Sequence, residues 1–247
     1  MTHFNYPMLN PEEIQRRYYT DIAAHYDEMY VGDADENQIA LRYISQFLNS
    51  MDVTSILDVG CGTGRGVKYF AEQYPHFQVM GVEPVPALIE QAIQQHGIAA
   101  EQLICGKGEN LPFAEKSFDV VCEFAMLHHV PNPNAIVREM TRVARKAIFI
   151  SDSNRFGQGR MVARWFKLLL YKAGLWGLFN YVRTGGKVYM LTKGDGLAYS
   201  YSVFDSYNLL ATWADRLILI PTGYEKKLSW CHPLLTSSHI LVCAFKE

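Results

Sequence analysis

Glycine occupies every second position of a loop that directly follows the largely apolar run over residues 56–59, at Gly60, Gly62, Gly64 and Gly66. A helical pattern follows this loop, which predicts a buried strand that turns sharply into a helix. A bare backbone at a helix N-terminus lets a ligand approach N–H groups closely and favours negative charge. The alternative is a tight strand-to-helix turn that binds no ligand.

The spacing of these glycines differs from two common phosphate-binding patterns. The dinucleotide fingerprint G-x-G-x-x-G needs a glycine where the chain has Arg65 or Val67. The sequence also lacks a G-x-x-x-x-G-K-[ST] loop. The remaining pattern is D-x-G-x-G-x-G, which begins at Asp58.

Four further polar side chains follow apolar runs and could take part in chemistry. Glu83 comes about twenty residues after the loop, where a carboxylate can accept both hydroxyls of a ribose. Glu123 ends a later run and could bind an amine or accept a proton. His128 and His129 come next, and a histidine can act as a base near neutral pH. Each also has a structural alternative, as a solvated acid, a partner of the backbone or a residue that holds the loop.

An alternation of apolar patterns predicts the elements that must position these residues. The predicted strands cover 53–59, 77–83, 102–106, 118–124 and 147–152. The predicted helices cover 11–30, 37–49, 64–73, 86–96 and 133–144. Such alternation favours a parallel sheet with helices on both faces and ligands at the carboxyl ends of the strands.

Four segments within about residues 15–150 together resemble the class I S-adenosylmethionine-dependent methyltransferases, of the small-molecule type similar to ubiquinone and menaquinone enzymes. They are the glycine loop and residues 79–84, 106–113 and 117–130. The resemblance implies an α/β, Rossmann-like fold with a seven-stranded, mostly parallel sheet, helices on both faces and an antiparallel final strand. It implies S-adenosylmethionine as the cofactor and methyl transfer by in-line displacement, in a closed pocket, to an O or N atom of a small-molecule acceptor.

The resemblance also implies which residues hold the cofactor. The loop would bind the methionine carboxylate, Asp58 the amino group and Glu83 the ribose, while Tyr26 would close over the site. The family often has Asp where this chain has Lys107, which cannot accept from the adenine amino group, so Glu109 or a backbone carbonyl would take that contact. The predicted cofactor-binding residues are Tyr26, Asp58, Gly60, Cys61, Gly62, Thr63, Gly64, Glu83, Pro84, Gly108, Glu109 and Glu123.

The expected catalytic residues are Glu123, His128 and His129. An oxygen nucleophile would want a base such as His128, whereas an amine would suit Glu123. No metal site is expected, because the spacing of the five cysteines suits neither zinc nor a disulfide framework. Free cysteines in apolar runs favour a reducing cytoplasm as the compartment.

A segment after residue 152 combines many cations with many apolar side chains. It has no Asp or Glu between Asp152 and Asp195, yet holds eight of the 23 basic residues. A helix is predicted over 160–173, a hairpin over 186–204 that turns at 194–196, and a helix over 205–215. We expect the helix to pack its apolar side on the sheet as a substrate lid. Peripheral membrane contact through 155–193 and RNA binding are the alternatives.

The whole chain is interpreted as one methyltransferase domain over 1–247. Its parts are an N-terminal helical cap over 1–50, a cofactor-binding core over 51–152, a lid and substrate insertion over 153–215, and closing strands over 216–247, at 217–221 and 239–245. The net charge of −2 and the lack of an RNA-binding module favour no nucleic-acid partner. The sequence leaves the oligomeric state open. It also leaves open a non-catalytic, cofactor-binding partner subunit and a lipid methyltransferase at the membrane surface.

Overall fold

A seven-stranded sheet forms the centre of the protein. The computed structural model describes residues 9–32, 35–192, 194–223 and 233–247. The sheet order is β3-β2-β1-β4-β5-β9-β8; the first five strands run parallel, and β9 is antiparallel to both β5 and β8. The strands are β1 (Ser55–Val59), β2 (Gln78–Glu83), β3 (Leu103–Cys105), β4 (Phe118–Phe124), β5 (Ala144–Ser153), β8 (Arg216–Pro221) and β9 (His239–Phe245). A separate hairpin pairs β6 (Tyr189–Thr192) with β7 (Gly196–Tyr199).

Helices cover both faces of the sheet, as the sequence predicts. They are α1 (Pro11–Ile22), α2 (Tyr26–Tyr30), α3 (Glu36–Leu48), α4 (Arg65–Gln73), α5 (Pro86–His96), α6 (Pro133–Val143), α7 (Met161–Lys172), α8 (Trp176–Arg183), α9 (Tyr207–Trp213) and α10 (Pro233–Thr236). One core lies between the sheet and helices α3, α4 and α5. A second core lies on the opposite face beneath α6 and α9. The predicted seven-stranded sheet with its antiparallel last strand is confirmed.

The strand order reverses between β1 and β4. From β1 the chain continues outward through β2 and β3, and β4 then returns to the other side of β1. A crevice opens at the carboxyl ends of parallel strands where the order reverses. The glycine loop after β1 and the residues after β4 therefore meet at this edge.

The N-terminal helix starts at a complete capping box. The Asn10 side chain accepts from the Glu13 N–H, and the Glu13 carboxylate accepts from the Asn10 N–H. This reciprocal pair fixes where the helix begins. The predicted helix over 11–30 is not continuous, because a short 3-10 turn over Ala23–His25 separates α1 from α2.

Three other elements differ from the sequence prediction. β5 begins at Ala144, directly after α6, rather than at residue 147. The helices α8 and α10 were not predicted, although the apolar content of residues 175–181 was visible in the sequence. Within the described residues, no helix is long and apolar enough to cross a bilayer.

Candidate active site

A cavity of about 350 Å³ opens at the edge where the strand order reverses. We call it the larger cavity. The predicted site residues in its wall are Tyr26, Gly60, Gly62, Glu83, Pro84, Gly108, Glu109 and His129. Apolar side chains complete it, among them Leu88, Met126, Val130 and Ile136. The predicted residues from the ends of four strands, β1 to β4, thus share one wall.

The glycine loop needs its glycines for conformation and for space. Gly60, Gly62 and Gly64 all have positive φ, at 75°, 57° and 82°. A Cβ on Gly60 would lie 2.6 Å from the Cγ of Met126, far inside van der Waals contact. The Gly60 N–H donates to the carbonyl of Val82 at 2.8 Å. The loop therefore offers a ligand close approach to bare backbone there, rather than a free donor.

Glu83 fastens the end of β2 to the glycine loop. Its Oε2 accepts from the Gly62 N–H at 3.0 Å, and its Oε1 accepts from the Val85 N–H at 3.0 Å. Burial raises the pKa of Glu83 to about 7, although the two N–H groups oppose that shift. Each carboxylate oxygen keeps a further lone pair, so Glu83 can still accept from ligand hydroxyls.

Asp58 lies behind the glycine loop and not in the cavity wall. Burial raises its pKa to about 7, and its Oδ1 has no hydrogen-bond partner among the described residues. A Cβ on Gly66 would come within 2.3 Å of Oδ2, so the fourth glycine makes room for this carboxylate. An unpaired buried acceptor beside the loop fits a cationic group or a bridging water.

Tyr26 lies over the glycine loop, held there by its neighbour on α2. Asp27 accepts from the Thr63 hydroxyl at 2.5 Å and pairs with His96 at 2.5 Å. The Tyr26 hydroxyl lies 3.4 Å from where a Cβ on Gly62 would be. Thr63, with Cys61 and Gly64, is outside the cavity wall, so these three support the loop rather than face the cavity.

Lys107 is in the wall of the larger cavity, where it pairs with an acidic residue of α1. Its Nζ pairs with Glu12 of α1 at 2.5 Å, and both residues are in the cavity wall. Gly108 packs behind it, where a Cβ would lie 3.0 Å from Ile136. The cavity is therefore bridged at this rim by an ion pair between α1 and the loop after β3.

Glu123 is not in the wall of the larger cavity. It is fully buried, and its Oε1 accepts from the N–H groups of Met126 at 2.7 Å and Leu127 at 3.3 Å. These bonds shape a turn in which Ala125 has a φ of 57°, and Phe124, Ala125 and Met126 form the wall instead. Burial and the charge of Asp152 raise the pKa of Glu123 well above its usual value. Its other oxygen, Oε2, has no hydrogen-bond partner among the described residues, and the two roles expected for Glu123 stay predictions.

His128 forms a buried charge pair beside the same loop. Its Nδ1 donates to Oδ1 of Asp152 at 2.7 Å, and its Nε2 lies 3.4 Å from Asp195. Burial alone would lower the pKa of His128, but the two carboxylates outweigh it and raise the pKa well above the usual value. The charge of His128 likewise holds the pKa of Asp152 well below its usual range, against the effect of burial. His128 is not in the wall of the larger cavity, and its expected role as general base stays a prediction.

His129 faces the larger cavity with its ring fixed from three sides. Nδ1 lies 2.7 Å from the carbonyl of Leu197 and 2.9 Å from Nε2 of Gln15. The carbonyl can only accept, so its shorter contact assigns the proton to Nδ1. Nε2 lies 3.0 Å from the hydroxyl of Tyr19 and 3.4 Å from a carboxylate oxygen of Asp195. Of the two histidines, His129 is the one in the wall of the larger cavity.

Three residues of this group could also ligate a metal ion, which the sequence did not predict. His128, His129 and Asp195 place their ligand atoms within 4.8 Å of one another. Without an ion the carboxylate of Asp195 pairs with both rings, at 3.4 Å each. Asp195 therefore ties the turn of the β6–β7 hairpin to the loop after β4.

A second cavity, of about 200 Å³, lies on the other side of His128 and Tyr199. We call it the basic cavity, because its wall holds Arg155, Lys167 and Arg183 and one carboxylate, that of Asp195, which pairs with the two histidines. Tyr199 belongs to the walls of both cavities. The sequence showed these cations as part of a basic segment, but it did not predict that they would line a cavity.

Helix α7 lies on the protein with its polar face inward, so the expected packing of its apolar side on the sheet is wrong. Arg164 donates to the carbonyls of Gly159 and Leu235, and Lys167 donates to those of Arg155 and Gln158. Apolar side chains of α7 and α8 point to solvent instead, and we call them the outer apolar surface: Val162, Trp165, Phe166, Leu169, Leu175, Leu178, Tyr181 and Val182. Lys193 lies outside the described residues.

Comparison with known proteins identifies the core of the chain. A family model described as a methyltransferase domain matches residues 57–150, which contain the glycine loop, Glu83 and the histidine pair. Over this segment the chain is similar to methyltransferase domains. The matched segment runs from β1 to β5 and lies within residues 15–150, the part of the chain whose sequence resembles class I methyltransferases.

Individual curated methyltransferases resemble parts of the chain. It is 31% identical over 118 residues to a fatty-acid O-methyltransferase of Mycolicibacterium smegmatis, which covers 47% of this chain and 43% of that protein. It is 30% identical over 139 residues to a demethylmenaquinone methyltransferase of Geobacillus stearothermophilus, which covers 54% and 59%. The chain thus matches less than two thirds of the length of either relative.

Solved methyltransferase structures share the fold of this chain along nearly its whole length. A magnesium protoporphyrin IX methyltransferase from Synechocystis PCC 6803, solved with bound SAM, superposes with a TM-score of 0.61 at 13% identity. The superposition covers 98% of this chain and all of that one. The likeness confirms the Rossmann-like methyltransferase fold.

Proposed function

We propose that this methyltransferase binds S-adenosylmethionine in the larger cavity and transfers its methyl group to an O or N atom of a small-molecule acceptor. One observation carries the proposal. The glycine loop, its bound carboxylate Glu83 and the imidazole of His129 share one cavity of about 350 Å³. The similarity to a fatty-acid O-methyltransferase and to a demethylmenaquinone methyltransferase supports an acceptor with an apolar part.

The residues in and behind the wall fit such a cofactor. The cavity wall at Gly62 lies where its methionine part would bind, and Asp58, behind this loop with Oδ1 unpaired, would hold the amino group. Glu83 would accept from the ribose, and the Gly108 N–H would serve the adenine. When bound, the cofactor supplies a methyl group already activated by a sulfonium. The protein therefore has to bind the cofactor, align the acceptor atom with the methyl group and exclude water.

The chain's own side chains account for alignment and proton removal. Tyr26 covers the loop, and Met126 fills the space above Gly60, so both keep water from the reacting atoms. Where the acceptor atom is a hydroxyl, Nε2 of His129 takes its proton while the Leu197 carbonyl holds Nδ1. The buried residues around the turn after β4 position the loop that carries His129. Of the three predicted catalytic residues, His129 keeps this role in the proposal.

Radiolabelled methyl transfer to a panel of carboxylates, phenols and amines tests the proposal. S-adenosylhomocysteine binding by calorimetry is measured in parallel. We expect binding and product from the wild type, and a loss of turnover on His129→Asn with cofactor affinity retained. Absence of cofactor binding would overturn the proposal. Binding without product across the whole panel would favour the non-catalytic partner subunit instead.

A second candidate function is docking on an anionic lipid surface, which the outer apolar surface favours. Val162 is 82% exposed, Val182 70% and Leu169 68%, although aliphatic side chains of a core would be buried. Exposed cations border them, among them Arg160, Lys172 and Lys187, and this pattern of charge suits anionic headgroups. Cosedimentation with vesicles that contain phosphatidylglycerol tests it, and no binding at low salt would exclude it.

A further inference from the structure

The basic cavity gathers three cations around a small volume. Arg155 is buried, with its guanidinium centre 5.2 Å from the ring of Trp176 and 5.6 Å from that of Tyr171. Arg183 lies 6.0 Å from the Trp176 ring system. Lys167 reaches in from α7. The three come from three different elements, so tertiary structure and not a local charge run assembles them.

Within the part of the chain that the structure describes, negative charge balances only one of these cations. Arg155 pairs with Asp205, which lies in the short turn before α9. Lys167 donates to two backbone carbonyls, and Arg183 donates to the side chain of Asn180. Neither has an acidic partner among the described residues. Burial lowers the pKa of Lys167, and the neighbouring arginines lower it further, as expected where positive charge is not compensated.

Two residues of the same wall each carry a buried nitrogen without a hydrogen-bond acceptor among the described residues. Nε of Arg155 and Nε1 of Trp176 have no hydrogen-bond partner among the described residues, and both side chains are more than nine-tenths buried. A buried donor left without an acceptor is unfavourable, because it has given up its bonds to water. The two cations of this wall without an acidic partner among the described residues, Lys167 and Arg183, together indicate that the cavity suits an anionic group.

We propose that the basic cavity binds an anionic group, a carboxylate or a phosphate, carried by the methyl acceptor. The inference rests on the proposed methyl transfer, because it places the acceptor's charged end beside the larger cavity. Tyr199 lies in both walls, and the rings of His128 and His129 are 4.0 Å apart at the boundary. An acceptor held by its anion in the basic cavity would thus present its other end towards His129.

Calorimetric titration of the full chain with three probes tests this, in the presence and absence of S-adenosylhomocysteine. The probes are octanoate, octyl phosphate and octanol, which share an alkyl chain and differ in the head group. We expect at least one anionic probe to bind, and octanol to bind at least tenfold more weakly. Preference for octanoate or for octyl phosphate identifies the natural group as carboxylate or phosphate. Equal affinity for octanol would overturn the inference, because an apolar surface alone would then explain binding.

Variants locate the binding. Arg183→Gln and Lys167→Gln should each weaken the anionic probe at least tenfold, while Lys172→Gln, which removes an exposed cation of the same helix as Lys167, should not. Thermal unfolding confirms that each variant is folded. An unchanged affinity in both cavity variants, or an equal loss in the control, would overturn the inference. Binding of S-adenosylhomocysteine reports separately on the proposed cofactor, so failure of one proposal is distinguishable from failure of the other.

Discussion

His128 donates from Nδ1 to Oδ1 of Asp152 across 2.7 Å, and the carboxylate of Asp152 has no exposure to solvent. The pair joins the turn after β4 to the end of β5, directly beside the wall of the larger cavity. Removing one partner of a buried ion pair leaves the other charge without compensation. The pair therefore controls the position of the neighbouring His129 through the stability of this turn.

The first prediction concerns the pH dependence of stability. His128 has a raised pKa in the folded state, so its stabilising effect is complete below the unfolded value of about 6.5 and is lost as the pH rises through the folded value. Asp152 has a depressed pKa, so its effect is present above about 4 and is lost as the pH falls. His128→Asn should cost roughly 3–5 kcal/mol near pH 6 and less at higher pH.

Urea unfolding of wild type and variant between pH 5 and 9 measures that difference. His25→Asn is the matched control, since His25 pairs with Glu28 at the surface and should change stability little. A cost of His128→Asn that stays constant across this range would contradict the charged state assigned to His128.

The second prediction concerns the carboxylate that joins β2 to the glycine loop. Glu83→Ala removes the acceptor of the Gly62 and Val85 N–H groups and the proposed ribose contact. We expect S-adenosylhomocysteine to bind about 10- to 100-fold more weakly, since hydrogen bonds to charged groups contribute roughly 1.5–3 kcal/mol each. Calorimetry measures this, with Glu90→Ala on the exposed side of α5 as control. Equal affinity in wild type and Glu83→Ala would remove Glu83 from the cofactor site.

The third prediction separates backbone strain from lost space in the glycine loop. Gly60 and Gly97 both have positive φ, but only at Gly60 would a Cβ meet another atom within 4 Å, the Met126 side chain. Gly97→Ala should therefore cost only the left-handed conformation, roughly 1–2 kcal/mol. Gly60→Ala should cost more and should also weaken cofactor binding. Urea unfolding and calorimetry measure the two effects, and similar results at both positions would contradict the close approach of Met126 to the loop.

The fourth prediction concerns the outer apolar surface. The double substitution Leu169→Ser and Leu178→Ser should weaken cosedimentation with phosphatidylglycerol vesicles at least tenfold, because burial of a leucine side chain contributes roughly 1.5–3 kcal/mol. The control is Ile93→Ser on α5, an exposed apolar residue of another surface. Raised salt should weaken wild-type binding as well. A double variant that binds like wild type would exclude this surface as the lipid contact.

The features that could be predicted from the sequence are those that depend on residues close together in the chain. The glycine loop and Glu83 each follow a buried strand, and strand ends are readable from apolar runs, so their shared edge could be inferred. The bonds that hold His129 could not, because Gln15 and Leu197, which both contact its ring and bond each other, are 182 residues apart in the chain. A polar residue such as Gln15 on the buried side of α1 was the available signal.

Two other features could not be predicted, because they depend on the direction in which side chains point. Glu123 ends an apolar run just as Glu83 does, but its carboxylate accepts from the backbone of the next turn instead of facing the cavity. Helix α7 has both an apolar and a basic face, and the usual preference would bury the apolar one. Here Lys167 finds two backbone carbonyls, and Tyr171 packs on Phe156, so the polar face lies inward.

Tyr199 stands in the walls of both cavities, at the end of the short strand β7. If the acceptor's anion is held on one side and its nucleophile on the other, the thickness of this aromatic partition sets a fixed length between them. The protein would then select acceptors by the number of bonds between their anionic group and their nucleophile. Within a homologous series, turnover should peak at one chain length, and Tyr199→Ala should shift that peak.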